Sequence, residues 1–334
     1  MSFVRAGIIG LGVGEAHIVG YNSHPKCEVL KVCDFDNEIF RSKKTSIGNI
    51  PFVTDYNDIM KDTSIDVVSI ASYDNFHFEQ IMAAIEHDKH VFVEKPLCIF
   101  RSEADKIFNA LEKKPYLKLS SNLILRKSER FIDLKNRIKQ NELGQLFHVN
   151  AAYNYGRIHK IIEGWRGDIP FYSVTYGGGV HLIDLILWLF DEKITEVFSF
   201  ANNICTKGSK FSHNEMVSSV LAFESGATGQ LSSNYGCVSP HFHQLEVYGK
   251  NGTFVNQLDE ARVYSIRDSK EFLKLDTKYP GVLKGDLLSN FIDSILEDKT
   301  PTIGKKEVFN VMSVCFAIED SITSRKVEKV NYYY

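Results

Sequence analysis

Short apolar runs alternate with helix-length stretches through residues 1–122, and this alternation is the tightest constraint on what the chain can fold into. Val4–Ile9, Glu28–Cys33, Asp66–Ala71, the segment 90–94 and Leu117–Asn122 read as short strands, with a smaller one at Pro51-Phe52-Val53. Between them the spacing predicts helices over about 38–46, 78–87 and 102–113, the last capped by Ser102. A small helix through Met60 is opened by Asp55 or Asn57. Strands separated by helices in this way pair in parallel, so the first half is expected to be a doubly wound parallel sheet.

The first run empties into Gly10-Leu11-Gly12-Val13-Gly14-Glu15-Ala16-His17. Strand, glycine turn and helix form the dinucleotide-binding arrangement. Gly10 permits the tight turn, Gly12 lets a pyrophosphate approach the backbone, and a helix starting near Gly14 offers free N–H groups. The third glycine of G-x-G-x-x-G belongs at position 15, where Glu15 stands, so the fingerprint is imperfect. The second run ends in Asp34, twenty residues after Gly14. A carboxylate there accepts from the adenosine ribose hydroxyls and repels a 2′-phosphate, which favours NAD over NADP. The alternative for Asp34 is a capping role for a helix beginning around Asp36.

The strand Val91-Phe92-Val93 is followed by Glu94-Lys95-Pro96-Leu97. Ligands of open parallel sheets bind just outside such strand ends. Pro96 steers Lys95 towards an extended shape, so the lysine is aimed at whatever occupies the crevice. A lysine so placed can polarise a hydroxyl or a carbonyl; a surface Glu–Lys pair is the plainer reading. The strand before it, Asp66–Ala71, runs into the polar loop Ser72-Tyr73-Asp74-Asn75-Phe76-His77, in which His77 is either near a cofactor or a helix cap.

After Leu123 the pattern changes. One amphipathic helix over Glu129–Gln140 presents Phe131, Leu134 and Ile138. Then come strand-like runs at Leu146–Tyr155, Thr195–Cys205, Met216–Glu224, Gly229–Tyr235, Gln244–Gly249, Thr253–Gln257 and Ala261–Ile266. Short turns such as Glu224-Ser225-Gly226 suit antiparallel neighbours. One large, mostly antiparallel sheet is expected, with helices near 179–190, 284–296 and 305–323 on one face and the other face free to pair with another subunit. The C-terminal Tyr332-Tyr333-Tyr334 reads as a tail. The polar stretch before Gly177-Gly178-Gly179-Val180-His181-Leu182-Ile183-Asp184 holds Tyr155, Arg157, His159, Lys160, Trp165, Arg166, Asp168, Tyr172 and Tyr176. His181 and Asp184 share one side of a helix. An imidazole there is a natural general base for a hydroxyl proton; a core histidine bonded to Asp184 or a carbonyl is the competing account.

A chain of 334 residues with 44% hydrophobic and 24% charged residues suits two globular domains, and its formal net charge of -3 gives no electrostatic case for nucleic acid or an anionic membrane. No apolar run is long enough to span a bilayer, and the N-terminus lacks a signal-peptide layout. The six cysteines are scattered with no C-x-x-C, so free thiols in a reducing cytoplasm are expected and no metal site.

Taken together, the chain resembles the glucose–fructose oxidoreductase and inositol dehydrogenase family of NAD(P)-dependent sugar dehydrogenases. The matching segments are Gly10-Leu11-Gly12, Ser69-Ile70-Ala71-Ser72 with His77, and Lys89-His90-Val91-Phe92-Val93-Glu94-Lys95-Pro96-Leu97. Asn122 with Arg126, Gly164-Trp165-Arg166 and Gly179-Val180-His181-Leu182-Ile183-Asp184 follow in the family's order. The resemblance implies a Rossmann domain over 1–122 and a substrate-binding, oligomerising α+β domain over 123–334. It implies that Lys95 and His181 are catalytic, that Ser72, His77, Glu94, Lys95 and Asn122 join Gly10, Gly12, Val13, Gly14 and Asp34 at the cofactor, and that the Lys95–Pro96 peptide is cis. Many members carry an aspartate four residues before the catalytic histidine, where this chain has Gly177; Asp184 or a tyrosine such as Tyr176 is then the candidate to take over that role.

The expectation is an NAD-dependent dehydrogenase acting on a secondary alcohol of a sugar, polyol or nucleotide-sugar, with Lys95 and His181 facing one carbinol. Tyr155, Arg157, Trp165, Arg166, His181 and Asp184 would hold the substrate; a phosphorylated one would also meet Arg126 and Lys160. A homodimer or homotetramer built through the second sheet is the expected assembly. An NAD-binding regulator without chemistry and an NAD-dependent glycosidase are the alternatives.

Overall fold

The computed structural model describes residues 2–334, in which the chain divides into two compact units. Of the described residues, the first comprises 2–124 together with 283–309 and 333–334; the second comprises 125–282 and 310–332. The chain leaves the first unit after residue 124 and returns to it at 283–309. The reason is that the helical segment after 283 adds to the parallel sheet's own layer, where Gly20 and Gly285 let backbones approach closely.

The first unit is built on six parallel strands: β1 Val4–Ile9, β2 Cys27–Cys33, β3 Phe52–Val53, β4 Val67–Ile70, β5 His90–Val93 and β6 Leu119–Ser121. They lie in the order β3-β2-β1-β4-β5-β6, the doubly wound order in which the direction of winding reverses between β1 and β4. All four residues of β4 are buried, as expected of a central strand covered on both faces. The helices are α1 Leu11–Asn22, α2 Asn37–Ile47, the short α3 Asn57–Met60, α4 His77–Glu86 and α5 Arg101–Lys113. Asp36 caps α2 by accepting from the Glu38 N–H. At α5 the expected Ser102 cap is absent: Glu103 reaches back instead, its Oε2 accepting from the N–H groups of Ile99 and Phe100 at 3.0 Å each.

The second unit opens with α6 Glu129–Lys139. Its sheet contains β7 Leu146–Asn154, β8 Ile194–Asn202, β9 Met216–Phe223, β10 Thr228–Asn234, β11 Phe242–Gly249, β12 Thr253–Asn256, β13 Ala261–Tyr264, β14 Leu273–Leu275 and β15 Glu328–Lys329. The order is β14-β13-β12-β11-β7-β10-β9-β8-β15. Every pairing is antiparallel except β7 with β10, which run parallel. The two edge strands escaped the sequence pattern because two or three residues cannot display an alternation. The short α7 His159–Ile162 precedes a π-helical turn, Thr175–Gly179, which leads directly into α8 Val180–Phe190. Two later helices, α9 Leu288–Leu296 in the first unit and α10 Lys305–Ser324, precede β15.

The terminal tyrosines are docked, contrary to their reading as a tail. Tyr332 Oη donates to the Ile194 carbonyl and accepts from its N–H, both at 3.0 Å, as an extra pairing partner beside β8. In the first unit Tyr333 Oη donates to Asp105 at 2.6 Å, and its ring lies 5.2 Å from that of Phe108.

Candidate functional site

The glycine turn of the first unit is built as the dinucleotide arrangement requires. Gly10 has φ +89, and a Cβ there would lie 2.4 Å from the Ala71 carbonyl oxygen at the end of β4. Only glycine fits between the two strands. A Cβ on Gly12 would meet nothing within 4 Å, so that face of the turn is open. Helix α1 starts at Leu11, not near Gly14. Gly14 instead does the work expected of the third glycine: a Cβ there would sit 2.8 Å from Ile8 Cγ2, so its absence lets α1 pack on β1. Glu15 is ion-paired with Lys43 and takes no part in that contact. Val13 is half-buried on the same first turn.

Asp34 stands at the end of β2 with its carboxylate over this turn. Oδ2 accepts from the Leu11 N–H at 2.8 Å and Oδ1 from the Asp36 N–H at 3.0 Å. It is not the cap of α2, which is Asp36. Each oxygen keeps a further lone pair for a hydroxyl donor. Phe35, two-thirds exposed, packs edge-on against Tyr73 with ring centroids 6.0 Å apart. This aromatic pair beside Asp34 went unnoticed in the sequence.

Lys95 is fixed from both sides. On one side Glu94 is buried, and its Oε1 accepts from Asn122 Nδ2 at 2.6 Å and lies 3.3 Å from His17 Nε2. Burial would raise this carboxyl, but the hydrogen bond from His17 and the positive charges of His17, Lys95 and Lys284 outweigh it and hold Glu94 well below the usual carboxylate range. Asn122 also donates to the Lys284 carbonyl at 3.0 Å, and His17 Nδ1 lies 2.8 Å from Ser69 Oγ. On the other side the buried His77 places Nδ1 2.7 Å from the Pro96 carbonyl and Nε2 3.2 Å from the Ser72 carbonyl. His77 is thus the first residue of α4 and a clamp on the lysine segment, while Ser72 Oγ donates to Gln80 at 2.7 Å. The Lys95–Pro96 peptide is cis. Lys95 itself is half-buried. His17 was quoted in the glycine stretch without a role; its distance of 77 positions from Glu94 hid the pairing.

These residues fit NAD. The turn has an open glycine face, a helix N-terminus and a carboxylate at the ribose position. Asn122 Oδ1 is buried beside Glu94 with no hydrogen-bond partner, an acceptor that a bound donor would satisfy.

In the second unit His181 is the second residue of α8, nearly buried, with its ring edge-on to that of His243 at 5.8 Å. His243 Nδ1 lies 2.7 Å from Tyr279 Oη. The expected partner, Asp184, is held by an arginine. Arg126 Nε and Nη2 hold its two oxygens at 2.6–3.1 Å, and both side chains are buried. This buried ion pair ties Asp184 and Arg126 to each other within the second unit. The buried ring of Tyr176 packs against Phe171 and Phe316.

Tyr155 is stacked on Tyr235 at 4.4 Å, with the exposed Arg157 guanidinium 5.7 Å from the Tyr155 ring. Arg166 lies over Trp165 at 4.7 Å and donates from Nε to Tyr172 Oη at 3.0 Å. Asp168 is an exposed partner of Lys210, and His159 and Lys160 are exposed. The structure therefore gathers Tyr155, Arg157, Trp165 and Arg166 into one aromatic–guanidinium cluster. His241 belongs to it as well, its Nε2 3.1 Å from Tyr153 Oη; burial, with Arg157 and Lys160 nearby, pushes its pKa down to about 4.

Behind this cluster lies a cavity of about 200 Å³ lined by Phe171, Tyr172, Ser173, His213 and Glu319. Ser173 Oγ donates to Glu319 and accepts from the Thr175 N–H at 3.1 Å, at the head of the π-helical turn. Burial pushes the Glu319 carboxyl up to about 7. A raised folded-state value stabilises the fold fully below the unfolded value of about 4.5 and is lost as pH rises through about 7. Denaturant titrations at pH 5 and pH 8 should show the protein losing on the order of 2 kcal/mol over this window, and Glu319→Gln should abolish most of that slope. An unchanged slope would remove Glu319 as its source.

Among the described residues no helix is long and apolar enough to cross a membrane, and no group of three or more His, Cys, Asp or Glu residues could hold a metal ion. Residues 4–121 match the family model for the oxidoreductase family with an NAD-binding Rossmann fold, and residues 131–255 match the model for the GFO/IDH/MocA C-terminal domain. The chain is 23% identical over 269 residues to a myo-inositol 2-dehydrogenase of Thermotoga maritima, covering 78% of this chain and 77% of that one. It is 27% identical over 199 residues to an inositol 2-dehydrogenase of Salmonella typhimurium, 57% of this chain and 55% of that one. Among solved structures, levoglucosan dehydrogenase in complex with NADH and L-sorbose superposes with a TM-score of 0.88 at 19% identity, over 98% of this chain and 99% of that one. The scyllo-inositol dehydrogenase of Lactobacillus casei with NAD(H) and scyllo-inositol gives 0.82 at 17% identity, again over 98% and 99%. At these identities the superpositions speak to the fold.

Proposed function

The chain belongs to the GFO/IDH/MocA oxidoreductase family, and from that premise we propose that it is an NAD-dependent dehydrogenase of a secondary alcohol on a sugar or polyol. The observation that carries the reading is the double clamp on Lys95: Glu94 is anchored by Asn122, and Pro96 by His77. Such rigid support of one half-buried lysine at the C-terminal edge of a parallel sheet suits a group that must meet a reacting oxygen accurately.

NAD, when bound, accepts the hydride. Gly10, Gly12, Val13 and Gly14 give the pyrophosphate its backbone approach, and Asp34 takes the ribose hydroxyls, which disfavours a 2′-phosphate. Lys95 orients the carbinol and stabilises negative charge on its oxygen. His181 accepts the hydroxyl proton. Tyr155, Arg157, Trp165 and Arg166 hold the remaining hydroxyls, through guanidinium hydrogen bonds and the aromatic faces. The relatives named for inositol and the neighbour complexes with L-sorbose and scyllo-inositol favour uncharged polyols and sugars as the substrate class. The pairing of Arg126 with Asp184 argues in the same direction, because it engages a buried cation that a phosphate would otherwise meet. The sheet face exposing Phe147, Phe200 and Val220 is proposed as the surface through which copies associate.

The test is a panel of inositols, aldoses, ketoses and nucleotide-sugars with NAD, read as NADH formed. Turnover of a polyol or sugar with a preference for NAD over NADP is the expected result. NAD binding without turnover of any member would favour a regulator. Release of an aglycone without net NADH would favour a glycosidase.

A further inference from the structure

The three glycines before His181 are each backed by a side chain that leaves no room for a Cβ. At Gly178 a Cβ would lie 2.2 Å from the Tyr153 ring, and at Gly179 2.4 Å from Ser233 Oγ. The tightest is Gly177, where it would lie 2.0 Å from Tyr172 Oη and 2.8 Å from Tyr235 Oη. The side-chain space of residue 177, one turn ahead of His181, is therefore filled by two phenol hydroxyls delivered from elsewhere in the fold. They are 3.4 Å apart, and Arg166 Nε donates to the Tyr172 oxygen at 3.0 Å.

The direction of the Arg166–Tyr172 hydrogen bond is set by chemistry. A guanidinium can only donate, so Tyr172 Oη accepts from Arg166 and has its own proton to give onward. Burial holds the Tyr235 phenol far above its ordinary range, so it stays a neutral hydroxyl. The cluster Arg166–Tyr172–Tyr235 ends against the π-helical turn. That turn is wider than an α-helical one, and its backbone faces the phenols directly because the glycines carry no side chains. Ser173, next to Tyr172, accepts from the Thr175 N–H at the head of the same turn, so Tyr172 is held at its backbone as well as its hydroxyl.

We propose that Tyr172 is a positioning residue for His181: its Arg166-held hydroxyl fills the side-chain space of Gly177 and fixes the turn that carries the histidine into α8. The proposal rests on the reading of His181 as the proton acceptor. It gives Arg166 a structural task in addition to any contact with substrate, and it explains why no side chain is tolerated at 177.

Two measurements test it. Tyr172→Phe keeps the ring and deletes the oxygen. With the polyol that the unaltered enzyme turns over best, kcat should fall about tenfold, KM for NAD should stay within a few-fold, and the pH profile of kcat should shift. Separately, Gly177→Ala should be strongly destabilising in the unaltered protein and markedly less so in the Tyr172→Phe background, because the nearest clash is with the deleted oxygen; denaturant midpoints of the four proteins read this coupling. An unchanged kcat and pH profile for Tyr172→Phe would overturn the positioning role even if the coupling is found. An equal cost of Gly177→Ala in both backgrounds would overturn the packing on which it stands. The denaturation cycle needs no substrate, so it still decides the packing if no alcohol is oxidised, an outcome that would instead defeat the dehydrogenase reading.

Discussion

Lys95→Ala is expected to lower kcat by about 10²- to 10⁴-fold while leaving NAD affinity within a few-fold of the unaltered protein. The asymmetry follows from where the supports of the site lie. The glycine turn and Asp34 are tied to each other through the Leu11 N–H and do not depend on the lysine side chain. Glu94 keeps its hydrogen bond from Asn122 and its approach to His17 when the lysine is shortened, so the strand end stays in place. What disappears, on the proposed reading, is the one ammonium that Lys95 offers to the reacting oxygen. Lys95→Arg should rescue little, because a planar guanidinium fork cannot occupy the position of a compact ammonium. Calorimetric titration with NAD and steady-state NADH formation check the two halves of the expectation. Full turnover by the alanine variant would end the assignment of Lys95, and loss of NAD binding would make it a cofactor residue only.

The sequence carried most of the first unit because a parallel sheet announces itself locally. Each strand is a short apolar run, each helix has its own period, and the turn between β1 and α1 has a glycine signature. The same locality misled at one point: the fingerprint appeared broken at Glu15, yet Gly14 makes the helix–strand contact one residue early. A regular expression counts positions, whereas the contact depends on where the helix starts, and α1 starts at Leu11. Long-range pairings were beyond reach. Nothing near Glu94 announces His17 or Lys284, and nothing near Gly177 announces Tyr235. The spacing of His181 and Asp184 correctly put both on one helix, but a shared helix face does not say which way a carboxylate is neutralised. Arg126, 58 residues upstream, decided that.

That pair sets the largest stability effect expected in the second unit. Arg126 presents Nε and Nη2 to both Asp184 oxygens in a bidentate fork, and Asp184 is fully buried. The guanidinium also lies 5.7 Å from the Trp188 ring, one turn further along α8. Asp184→Ala would leave a buried guanidinium with its charge uncompensated, at a cost of about 3–5 kcal/mol. For a unit of this size that corresponds to a fall in Tm of roughly 10 °C or more. Removing both charges together, as Arg126→Met with Asp184→Leu, should cost far less, since the desolvation of the two ions disappears along with their attraction. Thermal and denaturant unfolding of the single and double variants separates the two accounts of Asp184. A structural ion pair predicts a large loss for Asp184→Ala and its recovery in the double variant. A substrate-binding carboxylate predicts near-unaltered stability with a raised KM, and that result would return Asp184 to the site and free Arg126 for a charged substrate.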